Sequence, residues 1–354
     1  MTIRIWKTKR ILLSGLLLFT IHTTNLLAND YFVSPTGQDN NPGTFERPFA
    51  TLTKAASMLE PGDTCYLRQG VYRETLRPEQ SGEEGQPITF RNWQDEQVVI
   101  SGTDILSEWQ NDGDGTCSAS MPWSLGDDNQ FFHDTNDQDL FLNQRRFYRL
   151  SVGGLMLSEA CWPAPGDEPL FNPGRSVASG GSPTTLVCEQ LTGADDSWVG
   201  AKLWCAGGSA WICWTSEVTG YDADTHTLTF KDSQGSWYTP RAGNLFILKG
   251  LRSSLKEPGQ WYYDSNSQRV SIVPPEDSDV GKLVVEAKRR IDAIDLSGRA
   301  YINIQGLRFH AAGIRTDENS SHLRLKNLQG RYVAHSNRND VSATAGVLIR
   351  GSDN

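Results

Sequence analysis

No apolar run in this chain is long enough to cross a bilayer as an ordinary helix. The best candidate, Ile11 to Ile21, falls short of the roughly 20 residues a span requires. It follows Arg4, Lys7, Lys9 and Arg10 and leads to Leu26-Leu27-Ala28. A basic start, a short apolar segment and a small residue at the cut make a signal peptide. Residues 1–28 are therefore expected to be removed near Ala28, with no membrane span left afterwards. The mature protein is expected to be secreted, periplasmic or on the cell surface. No Cys follows the run, which gives no support to a lipoprotein anchor.

A basic excess is also missing. Without the leader's four basic residues, 29 Lys+Arg face 42 Asp+Glu, a balance of −13. Nucleic acid, which must be met by a basic face that displaces counterions, is excluded as a partner. A polyanionic substrate would need a local basic groove or bridging Ca²⁺, so Ca²⁺ is kept as a possible cofactor. The six cysteines (65, 117, 161, 188, 205 and 213) show no C-x-x-C spacing, and zinc is not expected. An exported chain can keep disulfides. Cys205 and Cys213 flank Ala206-Gly207-Gly208-Ser209, and they either clip a hairpin or are buried thiols on strands.

Helical periodicity is scarce. Leu52, Ala55, Ala56 and Leu59 fall at i, i+3, i+4 and i+7, with Thr51 as N-cap and Pro61-Gly62 as the stop. Almost everything else reads as short strands between Gly, Asn, Asp and Pro turns. Some of these strands repeat. Ile302, Ile304 and Leu307 align with Leu323, Leu325 and Leu328 at an offset of 21, and Val347-Leu348-Ile349 follows at a similar distance. Near the start, Thr64–Leu67 and Ile88–Arg91 are about two dozen residues apart. Alternating apolar residues at such a period predict a solenoid whose coils stack their strands. The middle differs. It holds most of the Trp residues, and Val218 to Phe230 reads as a hairpin around Asp222-Ala223-Asp224. The expected division is 1–28 signal peptide, 29–125 cap and first coils, 126–280 inserted β-rich region, and 281–354 later coils.

From Tyr31 the sequence is similar to a known group. Tyr31-Phe32-Val33-Ser34-Pro35-Thr36-Gly37, Asn41-Pro42-Gly43-Thr44, Arg47-Pro48-Phe49-Ala50-Thr51-Leu52 and Pro61-Gly62-Asp63-Thr64 resemble the N-terminal signature of secreted right-handed parallel β-helix proteins of the pectate-lyase-like superfamily. Gly85–Phe90 and Pro258–Asp264 extend the likeness. Ala160-Cys161-Trp162-Pro163 departs from it, because the resemblance leads one to expect Arg at 161. The resemblance implies an all-β, right-handed parallel β-helix with an N-terminal capping helix and an inserted β-rich subdomain. It implies a polysaccharide substrate of plant or algal type, cut by a lyase or a glycoside hydrolase. The alternatives are a non-catalytic carbohydrate-binding or surface protein and an inactive remnant. Group members continue through more coils, so the chain is read as C-terminally truncated. Its last coil is expected to be an uncapped edge prone to self-association.

A lyase needs a base beside a uronate, and a glycosidase needs two facing carboxyl groups. In this architecture such groups project from one outward face. The catalytic candidates are Lys326, which alternates with inward Leu325, and His310, His335, Arg338 and Asp340. His310 and Arg331, 21 apart, should share a face. Arg315, Trp162 and Trp261 are the substrate-binding candidates, the two Trp as platforms for sugar rings. No metal ligand is assigned.

Overall fold

The computed structural model describes residues 28–125, 140–143, 155–166, 174–211, 213–231, 238–275, 284–333 and 346–353. The leader up to Leu27 and the candidates His335, Arg338 and Asp340 lie outside them. Among the described residues no helix is long and apolar enough to cross a membrane.

Three parallel sheets form the solenoid. The first stacks Asp30–Val33, Thr64–Leu67, Ile88–Asn92, Ile302–Gln305 and Arg324–Lys326. The second stacks Gly70–Tyr72, Val98–Ser101, Arg308–His310 and Gln329–Arg331. The third stacks Asp292–Asp295, Gly313–Arg315 and Val347–Leu348, with Leu76 bridged to Ile294. Within a complete coil, successive short strands go to the first, second and third sheet in turn. Strand alternation sends every second side chain inward, and the inward rows match in apolar character. On the first sheet the row is Tyr31, Cys65, Phe90, Ile304 and Leu325. On the second it is Tyr72, Ile100, Phe309 and Gly330. Gly330 is small for a reason: a Cβ there would lie 2.4 Å from the Phe309 ring. Phe90, Ile100, Ile294 and Ile304 are fully buried. Each such side chain contributes roughly 1.5–3 kcal/mol through the water it leaves.

The 21-residue offset is the register of the structure, with Asn303, Ile304 and Gln305 facing Arg324, Leu325 and Lys326. The last strand corrects the reading. Val347 and Leu348 do not continue the first sheet but pair with Ile314 and Arg315 of the third. The offset there is 33, because residues 334–345 intervene.

The helix Leu52–Met58 covers the first coil with Leu52, Ala55 and Ala56. Thr51 caps it by accepting from the Lys54 backbone N–H at 3.0 Å, and Glu74 accepts from the N–H groups of Leu52 and Thr53, both at 3.2 Å.

The insert is larger than the sequence suggested. It leaves after Gly102 and returns at Arg289, so its edges lie well outside 126 and 280. The Gly102 carbonyl accepts from the N–H groups of Arg289 (2.8 Å) and Arg290 (2.9 Å). The outgoing strand Thr103–Leu106 then runs antiparallel to the returning Val284–Lys288. Within the insert, Cys117, Trp261, Val270 and Ile272 build one core. Leu203, Trp214, Phe230 and Phe246 build another. The hairpin at Asp222 is present, and Asp222 accepts from the Thr225 N–H at 2.8 Å.

The proposed clip at Cys205 is not made, since Cys205 and Cys213 are thiols in the structure. Cys205 stands opposite Trp214 on the paired strands, and burial with the neighbouring Cys213 pushes its thiol up to about 12.

Asp104 pins the root of the insert, accepting from Arg289 at 2.7 Å and Arg290 at 2.8 Å. Burial raises its carboxyl, but the two guanidinium groups outweigh burial and hold it below the ordinary carboxylate value. A lowered folded value means this contribution is complete above the unfolded value of about 3.9 and disappears as pH falls through the folded one. The acid limb of a melting-temperature profile should therefore be shallower in Asp104→Asn than in the parent. Parallel limbs would show that Asp104 is not part of acid lability.

Candidate active site

An open cleft of about 830 Å³ lies on the third face of the solenoid, beside the root of the insert. The turn after strand Gly70–Tyr72 supplies Arg73, Glu74 and Arg77, and the returning chain supplies Arg290, Asp292, Asp295 and Arg299. The Leu76–Ile294 bridge sets these two segments side by side although more than 200 residues separate them. Thr75 Oγ1 reinforces the pairing by donating to the Asp292 carbonyl at 2.7 Å.

Of the four carboxyl groups that line the cleft, Glu74, Glu79, Asp292 and Asp295, the last two sit on one strand in unlike surroundings. Asp292 is bound by Arg315 Nε at 3.1 Å. Burial, opposed by Arg315 and reinforced by the nearby Asp295, holds the Asp292 carboxyl above its ordinary value. Asp295 is paired with Arg77 at 3.1 Å and accepts from the Ser297 N–H at 3.0 Å. Arg299 is braced by its Nε bond to the Pro78 carbonyl at 2.7 Å. Both carboxyls are ion-paired, and raising one of two like groups by burial is how enzymes divide acid and base roles between them. The guanidinium groups around them are bidentate donors suited to carboxylate or hydroxyl oxygens.

The sequence candidates do not assemble on one face. Arg315 is in the cleft's network, as Asp292's partner. Lys326 is exposed, as its alternation predicted, but on the outward side of the first sheet, in register with Gln305 and Arg91. His310 does stand in register with Arg331, yet it is only 2% exposed and packs against the Tyr332 ring. It pairs with Ser101 of the neighbouring coil, just before the insert leaves. His310 is therefore not a solvent-facing base. Trp261 is no platform: it is 2% exposed in a core, its indole N–H donating to the Leu157 carbonyl at 3.3 Å. Trp162 is half-buried against Trp198 and Phe246. Among the described residues no group of three or more His, Cys, Asp or Glu side chains is placed to hold a metal ion. Asp292, Asp295, Arg77 and Arg299 were missed. Their signal was the charged run Arg289-Arg290-Ile291-Asp292, where a strand opens with an acid.

Comparison with known proteins places the first part of the chain. Residues 31–124 match the family described as Pel9A-like, right handed beta helix region. This part of the chain is similar to that right-handed β-helix region. The uncharacterized protein YwoF of Bacillus subtilis (strain 168) is 48% identical over 81 residues, 23% of this chain and 17% of that protein. Pectate lyase PEL9 of Emericella nidulans is 34% identical over 82 residues, 23% of this chain and 20% of the lyase. The chain thus matches about a fifth of the length of these curated relatives. A solved structure titled glycoside hydrolase aligns with 80% of this chain and 51% of its own, at a TM-score of 0.61 and 19% identity, a likeness of fold. The Pel9A-like region ends within the insert, and the Asp292 cleft lies beyond it.

Proposed function

We propose that this is an exported polysaccharide-active β-helix protein and that the third-face cleft takes a glycan across Asp292 and Asp295. The observation that carries the reading is the carboxyl pair itself. One member, Asp292, is raised by burial and by its neighbour inside an open, arginine-lined cleft. In glycoside hydrolysis, Asp292 gives its proton to the glycosidic oxygen as the bond to the anomeric carbon breaks. Asp295 supports the positive charge that develops on the sugar, or activates the incoming water. Arg77 and Arg299 orient the ring through its oxygens. The relatives support polysaccharide as the substrate class, one being named a pectate lyase and one titled a glycoside hydrolase.

A lyase reading has one observation in its favour, the likeness to the pectate lyase. There the arginines would hold a uronate carboxylate while a proton leaves the adjacent carbon.

Asp292→Asn separates chemistry from structure, because the amide oxygen still accepts from Arg315. It should lower turnover of a cleaved polysaccharide about 10²–10⁴-fold, the usual worth of a positioned acid, with the melting temperature nearly unchanged. New reducing ends without unsaturated product would mark hydrolysis, and unsaturated ends would mark elimination. Full activity in the variant would remove Asp292 from the reaction.

A further inference from the structure

We propose that the insert carries a second glycan site, a cleft that takes a neutral sugar unit against Trp162, separate from the Asp292 cleft. A cavity of about 540 Å³ opens between strand Cys161–Trp162, the loop 192–198 and the turn around residues 253–257. That volume is in the range of small-ligand sites. None of its lining belongs to the solenoid's third face.

Two indoles form the apolar wall. Their centroids are 5.5 Å apart at 59°, so neither ring lies flat on the other. Trp198 is buried, with its N–H spent on the Thr192 carbonyl at 3.1 Å. It is a fixed wall. Trp162 packs on Phe246 and remains partly exposed where it lines the cavity. An amphipathic ring at a partly wet surface is suited to the apolar C–H face of a pyranose.

The polar side is made of Ser197, Ser254, Lys256 and Glu257. Hydroxyls and one charge of each sign match sugar hydroxyls, which both donate and accept. They do not match a polyanion, and here the cavity contrasts with the arginine-lined cleft. Gln260 lies behind this rim. Its Oε1 accepts from the backbone N–H groups of both Lys256 and Glu257, each at 3.0 Å. Its Nε2 is buried with no hydrogen-bond partner, in a residue 1% exposed. An unspent buried donor costs stability, and here the same side chain fixes the backbone of the two charged rim residues.

The loop 192–198 that carries Trp198 is held in shape before any ligand arrives. Asp196 accepts from the Tyr221 N–H at 3.1 Å and Asp195 from the Ala223 N–H at 2.9 Å. A wall ordered in advance reduces the entropy cost of binding. The site stands whether or not the Asp292 cleft cleaves anything.

Tryptophan fluorescence and affinity electrophoresis of the full chain test it, with xylohexaose, cellohexaose and hexagalacturonate as probes. At least one neutral hexasaccharide should bind and change the emission. Trp162→Ala should weaken that binding about tenfold or more, as expected for loss of an aromatic anchor. Ser254→Trp, which fills the cavity from its rim without opening the core, should do the same. Asp292→Asn should leave it unchanged. The proposal is overturned if neither neutral probe binds, if binding survives both cavity variants, or if it is lost with Asp292→Asn.

Discussion

Replacing Glu286 with Ala should cost about 3 kcal/mol and lower the melting temperature by several degrees. Glu286 is on the strand that returns the chain from the insert, and its side chain is 5% exposed. It accepts from Arg73 at 2.7 Å and from Thr103 Oγ1 at 2.7 Å. Three segments distant in sequence thus meet on one carboxylate: the first coil, the outgoing strand and the returning strand. Breaking a buried pair by removing one partner costs about 3–5 kcal/mol, because the other charge is left in place. Arg73 is 24% exposed and can regain some water, which puts the effect near the lower end. A few degrees per 3 kcal/mol is the scale expected for a chain of this size. The double variant with Arg73→Ala separates pair from packing. If the charges are coupled, the second substitution adds much less than it costs alone. Strict additivity would mean that Glu286 acts through packing only.

The same junction explains why the first sheet was legible from sequence and the cleft was not. Ile302, Ile304 and Leu307 repeat in Leu323, Leu325 and Leu328 without interruption, so the apolar alternation alone gives the register. The N-terminal helix was legible for a similar reason, since Leu52, Ala55 and Ala56 place one face on the core. The third sheet gives no such signal. Its strand Asp292–Asp295 has acids at both ends and only Ala293-Ile294 between them. Its partner Leu76 lies on the far side of the insert, so no fixed period connects the two. His310 failed for a related reason. Its position in the repeat was read correctly, but its ring packs against Tyr332, a contact that local pattern does not encode. The exposure of Lys326 was legible because it alternates with Leu325 on its strand.

Gly102→Ala should be among the most damaging single-methyl additions in the chain. Space is the limit, because the backbone here is not in the left-handed region. A Cβ at 102 would fall 2.6 Å from the Ala311 carbonyl oxygen, 2.7 Å from the Ala312 Cβ and 2.8 Å from the Arg290 carbonyl oxygen. Two of the three are backbone atoms, and no side-chain rotation relieves them. Gly102 also ties the junction together. Its N–H donates to the His310 carbonyl at 2.8 Å, while its own carbonyl takes the N–H groups of Arg289 and Arg290. Moving it away from the clash pulls the insert's two strands from the coil that holds them. Overpacking a tight site typically costs about 1–3 kcal/mol, and the loss of junction hydrogen bonds places this one at the top of that range or above. Gly180→Ala is the matched control, with nothing within 4 Å of the added carbon. Thermal unfolding followed by near-ultraviolet circular dichroism should show a large fall for the first and almost none for the second. Equal midpoints would mean that insert and solenoid are not packed through Gly102. The position of the Asp292 cleft beside the insert root would then need another explanation.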